Sequence, residues 1–250
     1  MMQILAVIPA RYSSQRLPGK VLLPIGDRPM VQWVYEAALQ CPAFSKVVVA
    51  TDNEMVADCV RGFGGAVEMT SDQHETGTDR VAEVASRYSD MDVVVNVQGD
   101  QPFVTAEMLL KLVQPYLEGE TPEMTTLATP LDHEAGYLDP NVVKVLCDRN
   151  HHALYFSRSP IPYFRNPGEV PVHHHLGLYA FRRDFLANYA ELPATPLEQC
   201  EALEQLRVLE NGFRIRVCYS EKMVLEVNTP EDLQAAKALV QSTANLMPQC

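Results

Sequence analysis

Three cations, Arg11, Arg16 and Lys20, stand in the segment Pro9-Ala10-Arg11-Tyr12-Ser13-Ser14-Gln15-Arg16-Leu17-Pro18-Gly19-Lys20, which proline, serine and glycine break into a loop. Guanidinium groups grip phosphate oxygens two at a time, an ammonium adds a compact point charge, and loop amides add further donors. Such a loop suits a polyphosphate. Through residue 28 the charges are Arg11, Arg16, Lys20 and Arg28 against Asp27 alone, in a chain of formal net charge −12. A basic island in an acidic protein focuses the field on one anion site. The bland competing reading is a solvated surface loop.

The acidic counterpart is Asp100, in Gln98-Gly99-Asp100, just beyond the apolar run Val93 to Val97. A carboxylate facing three cations is suited to hold a divalent ion on a nucleotide's phosphates. In isolation it would read as a turn aspartate capping its own backbone. His74-Glu75-Thr76-Gly77-Thr78-Asp79 opens a helix with free amides and small side chains. It would hold a ligand carbonyl or hydroxyl, and serves equally as a plain cap.

Other motifs are set aside. Gly62-Phe63-Gly64-Gly65 looks like a dinucleotide fingerprint, but its third glycine is out of register and no helix follows, so it reads as a helix stop. His173-His174-His175 suggests a metal; on a strand only His173 and His175 share a face, and no closed four-ligand set stands nearby. The chain has neither an HExxH pattern nor a GxSxG elbow. Arg158, Glu204 and Gln205 are polar groups amid apolar sequence, for which surface placement is the simplest account.

The elements that must carry these residues alternate. Ile4 to Ile8 is a continuous apolar run, as expected of a strand buried on both faces. Helical spacing follows Pro29, with strands over 46–50, 66–69 and 93–97 and helices over 54–62, 78–88 and 106–117. The rhythm predicts an α/β fold: a mostly parallel central sheet with helices on both faces. In such sheets ligands gather beyond the carboxyl ends of strands, where both the basic loop and Asp100 fall. The second half is richer in strands, at 124–129, 142–147, 174–181, 213–219 and 224–227, with a helix over 196–209. A last helix has Thr229 as cap and Pro230 at its first position. The stretch 166–171 is the clearest loop, a candidate lid within 165–172.

At 47% hydrophobic and 21% charged, the 250 residues have ordinary globular proportions with ample core. The acidic balance argues against nucleic-acid and anionic-membrane partners, which need a basic face. No apolar run approaches the roughly 20 residues that span a bilayer. The start Met1-Met2-Gln3-Ile4 lacks secretory-signal features. Six cysteines without CxxC pairing are expected to be free thiols in a reducing cytoplasm.

Taken together, Ile8 to Arg11 with Arg16 to Lys20, Ala50-Thr51-Asp52, Gly77-Thr78-Asp79-Arg80, Asn96 to Pro102, Ala153 to Arg158, His175 to Tyr179 and Leu203 to Arg207 resemble the 3-deoxy-manno-octulosonate cytidylyltransferase family, collinearly from about residue 4 to 240. The resemblance implies a nucleotide-diphospho-sugar transferase-like fold: one domain over 1–250, its nucleotide-binding part about 1–120 and its sugar-binding and dimerisation part about 121–250. It further implies a cytoplasmic homodimer that uses Mg2+ and couples CTP to an acidic eight-carbon sugar for lipopolysaccharide biosynthesis. Arg11, Lys20 and Asp100 would be catalytic. Ala10, Arg11, Ser14, Lys20, His74, Gly77, Thr78 and Gln98 would bind the nucleotide. Gln98, Arg158, His175, Tyr179, Glu204 and Gln205 would bind the sugar, and Asp100 and Asn228 the metal.

One departure stands out: the family pattern Asp-Thr-Pro-Glu-Asp is here Asn228-Thr229-Pro230-Glu231-Asp232. An amide oxygen is a poorer ligand for a hard cation than a carboxylate. Glu226, two residues back on an expected strand, would share the face and restore charge. The departure leaves open an 8-amino analogue as the sugar. Two further readings are a synthetase acting on an acylneuraminate and a non-catalytic nucleotide-binding protein.

Overall fold

The apolar runs become buried strands because a strand with a helix on each face has no solvent side. The computed structural model describes residues 2–13, 16–131, 134–166 and 170–246. The chain forms two compact units, residues 3–106 with the segment from Val224 onward, and residues 107–223. The C-terminal segment groups with the first unit.

The first unit runs β1 (Ile4–Pro9), β2 (Pro24–Ile25), β3 (Arg28–Pro29), α1 (Met30–Leu39), β4 (Lys46–Thr51), α2 (Glu54–Gly62), β5 (Val67–Met69), α3 (Gly77–Ser86) and β6 (Val93–Asn96). Its sheet has the order β6-β1-β4-β5, every pair parallel, with Val7 opposite Asn96 and Ile8 opposite Val49. Ile4 to Ile8 are wholly buried. The isoleucine, leucine and valine side chains each contribute about 1.5–3 kcal/mol, which fixes β1 at the centre of the unit. Its carboxyl end releases the basic loop beside the turn that follows β6.

The second unit contains α4 (Ala106–Leu117), β7 (Met124–Pro130), α5 (Glu134–Leu138), β8 (Lys144–Cys147), β9 (Ala153–Ser157), β10 (His173–Arg182), α6 (Arg183–Glu191), α7 (Pro196–Glu201), α8 (Leu206–Glu210) and β11 (Ile215–Tyr219). β11 lies parallel to β7, β10 antiparallel to it, and β8 is antiparallel to both β10 and β9. Finally α9 (Pro230–Leu246) packs with the first unit, where Leu233 and Ala236 join Ile25, Met30 and Val227 in one cluster. Mostly parallel sheet and connecting helices match the expected α/β class. No described helix is long and apolar enough to cross a membrane. Cys41, Cys59, Cys147, Cys200 and Cys218 are free thiols.

Two expected elements differ. Residues 196–209 are not one helix: Ala202 adopts a left-handed conformation, φ 52°, which ends α7 and restarts the chain as α8. Residues 224–227 are not a strand. Val224 and Val227 are buried, and the Val227 N–H donates to Asp100 O at 2.9 Å, but no ladder forms. Its short apolar run, Val224-Leu225 with Val227, made this loop look like a strand. Strand β9 and helix α6 had no clear periodic signal.

Candidate active site

Arg11, Arg16, Lys20 and Arg80 converge with Asp100 and Asn228 on a cavity of about 620 Å³ in the first unit. His74, Gly77 and Gln98 also line it. Two glycines make the convergence possible. Gly19 holds φ 66° and turns the loop so that its N–H donates to Tyr12 O at 3.0 Å, aiming Lys20 back toward β1. Gly99 lies so close to β1 that a Cβ would meet Pro9 O at 2.8 Å. Any larger residue would push Asp100 away from the loop.

At the centre the Lys20 ammonium touches Asp100 Oδ2 at 2.6 Å and Asn228 Oδ1 at 3.1 Å. Arg16 Nη2 reaches the same Asn228 oxygen at 3.2 Å. The Asn228 amide nitrogen donates to Glu226 Oε2 at 3.1 Å, and Gln101 Nε2 donates to Glu226 Oε1 at 3.0 Å. Glu226 therefore meets Asn228 through side chains, although the two do not lie on a strand. Much of Glu226 is open to solvent, yet desolvation of its carboxylate, followed by the charge of Asp100, raises its pKa. Asn228 itself is pinned by the α9 cap: Asp232 Oδ2 accepts from the N–H groups of Asn228 and Thr229 at 2.9 and 2.8 Å, and Thr229 Oγ1 accepts from the Asp232 N–H at 3.2 Å.

A second capping box starts α3, where Thr76 Oγ1 accepts from the Asp79 N–H and Asp79 accepts from the Thr76 N–H. The cap reading of this motif is met, and Thr76 and Gly77 also line the cavity. His74 pairs with Glu83 of α3 at 2.5 Å. Desolvation pushes the Glu83 carboxyl up, but His74, the Ser71 N–H and Arg87 together hold it below the usual range. Arg80 is buried against Asp52 at 2.9 Å and against Thr70. Thr78 is buried and accepts from Asn96 Nδ2 at 3.1 Å, and Ala10 is buried with its N–H on Ala50 O at 2.8 Å. Ser14 lies outside the described residues.

The remaining candidates sit in the second unit. His175, Tyr179 and Gln205 are buried and bonded in a chain: Tyr179 OH donates to Gln205 Oε1 at 3.1 Å, and Gln205 Nε2 faces His175 Nδ1 at 3.4 Å. Thr126 Oγ1 donates to Leu178 O at 2.8 Å, so it accepts from His175 Nε2 at 2.9 Å, which fixes the tautomer. Burial pushes the His175 pKa down to about 3, leaving a neutral ring that orients Gln205. The surface placement expected for Gln205 is thus corrected; the break at Ala202 turns it inward. Arg158 is partly buried, donating from Nε to Glu201 O at 2.8 Å and from Nη1 to Pro140 O at 3.1 Å. Glu204 is partly exposed, and its carbonyl accepts from Tyr189 OH at 3.2 Å.

Sequence reasoning did not single out Arg80, Glu83 or Lys144. Lys144 is fully buried, its ammonium on the carbonyls of Asp139, Val142 and Arg158 at 2.9, 2.6 and 2.6 Å. Only its position in an apolar run, Val142 to Cys147, hinted at burial.

Residues 5–218 match the profile of the cytidylyltransferase family. The 3-deoxy-manno-octulosonate cytidylyltransferase of Acaryochloris marina is 68% identical over 96% of this chain and 98% of its own length. The enzyme of the same name from Synechococcus elongatus is 57% identical over 95% and 98%. Among solved structures, a CMP:2-keto-3-deoxy-manno-octonic acid synthetase complexed with CTP superposes with a TM-score of 0.92 at 42% identity, covering 96% of this chain and 99% of that one. The fold is therefore nucleotide-diphospho-sugar transferase-like, and the chain belongs to the cytidylyltransferases, in the 3-deoxy-manno-octulosonate cytidylyltransferase family of nucleotidyltransferases.

Proposed function

We propose that this chain couples CTP to 3-deoxy-manno-octulosonic acid, releasing pyrophosphate and the CMP-sugar for lipopolysaccharide biosynthesis, as a cytoplasmic, magnesium-dependent homodimer. The single observation that carries the reading is the convergence of Arg11, Arg16 and Lys20 with Asp100 and Asn228 on one cavity. The family assignment supports it.

The donor set fits a hard divalent cation. Lys20's ammonium already stands as a positive charge between Asp100 Oδ2 and Asn228 Oδ1, both oxygen donors of the kind magnesium takes. Asp100 and Asn228 would hold the ion; when bound, it would neutralise charge on the triphosphate. Arg11, Arg16 and Lys20 grip the phosphate oxygens and favour departure of pyrophosphate. Gly77 and Gln98 bear on the nucleoside end, with His74 held in place by Glu83. In the second unit, Gln205, oriented by Tyr179 and His175, and the cationic Arg158 bind the sugar acid. The sugar's anomeric hydroxyl attacks the α-phosphorus, so positioning and electrostatics supply the rate without a protein nucleophile.

The test is pyrophosphate release with each nucleoside triphosphate, magnesium and the sugar acid. Release that requires CTP and the sugar together is the expected result. No release with that pair, under conditions where the protein is folded, would overturn the proposal.

A further inference from the structure

Glu226 is a carboxylate beside the polyphosphate cavity with no part in the reaction described so far. Both its oxygens are engaged: Oε2 accepts from Asn228 Nδ2 at 3.1 Å and Oε1 from Gln101 Nε2 at 3.0 Å. Asn228 is thereby held with its nitrogen toward a carboxylate and its oxygen toward two cations, Lys20 Nζ at 3.1 Å and Arg16 Nη2 at 3.2 Å. A flipped amide would aim hydrogens at both cations and its oxygen at the carboxylate, so charge alone decides the orientation.

The orientation has a chemical consequence. A neutral amide oxygen is a weak donor for a hard divalent ion, and among the described residues Asp100 is the carboxylate paired with Lys20. A carboxylate that accepts the amide's N–H draws electron density toward the amide oxygen and fixes its direction, as outer partners do for metal ligands. We propose that Glu226 is a positioning residue for the cation site: it orients and polarises Asn228, and it supplies at one remove the second negative charge. The pair Glu226–Asn228 then does the work of one carboxylate. This rests on reading the cavity as a site for CTP with a divalent ion.

Calorimetric titration of CTP without sugar, at saturating magnesium and again in EDTA, tests it without turnover. The ratio of the two affinities reports how strongly the ion is coupled to the site. In the unaltered protein CTP should bind tighter with magnesium. Glu226→Gln, which keeps size and polarity, should shrink that ratio about tenfold. Adding Asn228→Asp to Glu226→Gln should restore it to within about threefold, because a direct carboxylate no longer needs the relay. Asn228→Asp alone should change it by less than about threefold, since Glu226 already provides the charge. A Glu226→Gln ratio equal to that of the unaltered protein, or a double variant no better than Glu226→Gln, would overturn the inference alone. So would a tenfold gain from Asn228→Asp alone, a readout available even if Glu226→Gln failed to fold. Magnesium-independent CTP binding in the unaltered protein would remove the underlying reading as well.

Discussion

In the first unit, the three cations of the loop after β1 face a cavity and stay within reach of a ligand: Arg11 and Arg16 are exposed, and Lys20 rests against Asp100 with 15% of its side chain accessible. In the second unit, two cations are spent internally. Lys144 caps three backbone carbonyls, and Arg207 makes a buried two-point pair with Glu198, at 2.6 and 2.9 Å. Three of its candidate ligand-binding groups, His175, Tyr179 and Gln205, form a buried neutral network. The first arrangement can trade partners when an anion arrives, because the charges remain partly solvated. The second recognises by fixed direction, because a buried neutral network has one satisfied arrangement.

Substitutions should break this contrast in a set order. Asp100→Asn removes the charge that organises the cavity, and kcat/KM should fall on the order of 10³-fold with the thermal unfolding midpoint nearly unchanged. Steady-state assays beside a melting curve check both halves. Glu198→Ala should do the reverse. It strands the buried guanidinium of Arg207 and costs about 3 kcal/mol in urea unfolding.

His175 gives a third measure. Its folded pKa, about 3, lies below the ordinary histidine value of 6.5. Between these values the unfolded chain binds more protons, so stability is complete above about pH 6.5 and falls as acid is added, by up to about 1.4 kcal/mol per pH unit. Unfolding titrations at several pH values should show that slope, and His175→Gln should lose it. The smallest effect is Thr76→Ala, which removes a cap of α3 at about 1 kcal/mol. A loss of CTP affinity far beyond this stability change would show that the cap also shapes the cavity.

Legibility followed the same division. The basic loop, the turn at Asp100 and the caps of α3 and α9 are contiguous motifs, each with its own local physics, and they were readable as such. Their convergence was inferred from strand ends and holds because Gly99 permits close approach to Pro9. The second unit was harder. His175 and Gln205 are 30 residues apart, and their contact depends on a left-handed residue, Ala202, that no propensity marks. Residues 224–227 mimicked a strand because a short apolar run buries Val224 and Val227 without forming a ladder.

Residue order alone determined the alternation of elements, the acidic balance and the concentration of cations in the loop over 9–20, since these rest on local spacing and composition. Tertiary structure alone decided which way the Asn228 amide faces, which cations remain available, and that His175 is neutral. Those properties depend on what lies within a few ångströms through space, and that neighbourhood exists only once distant segments have packed.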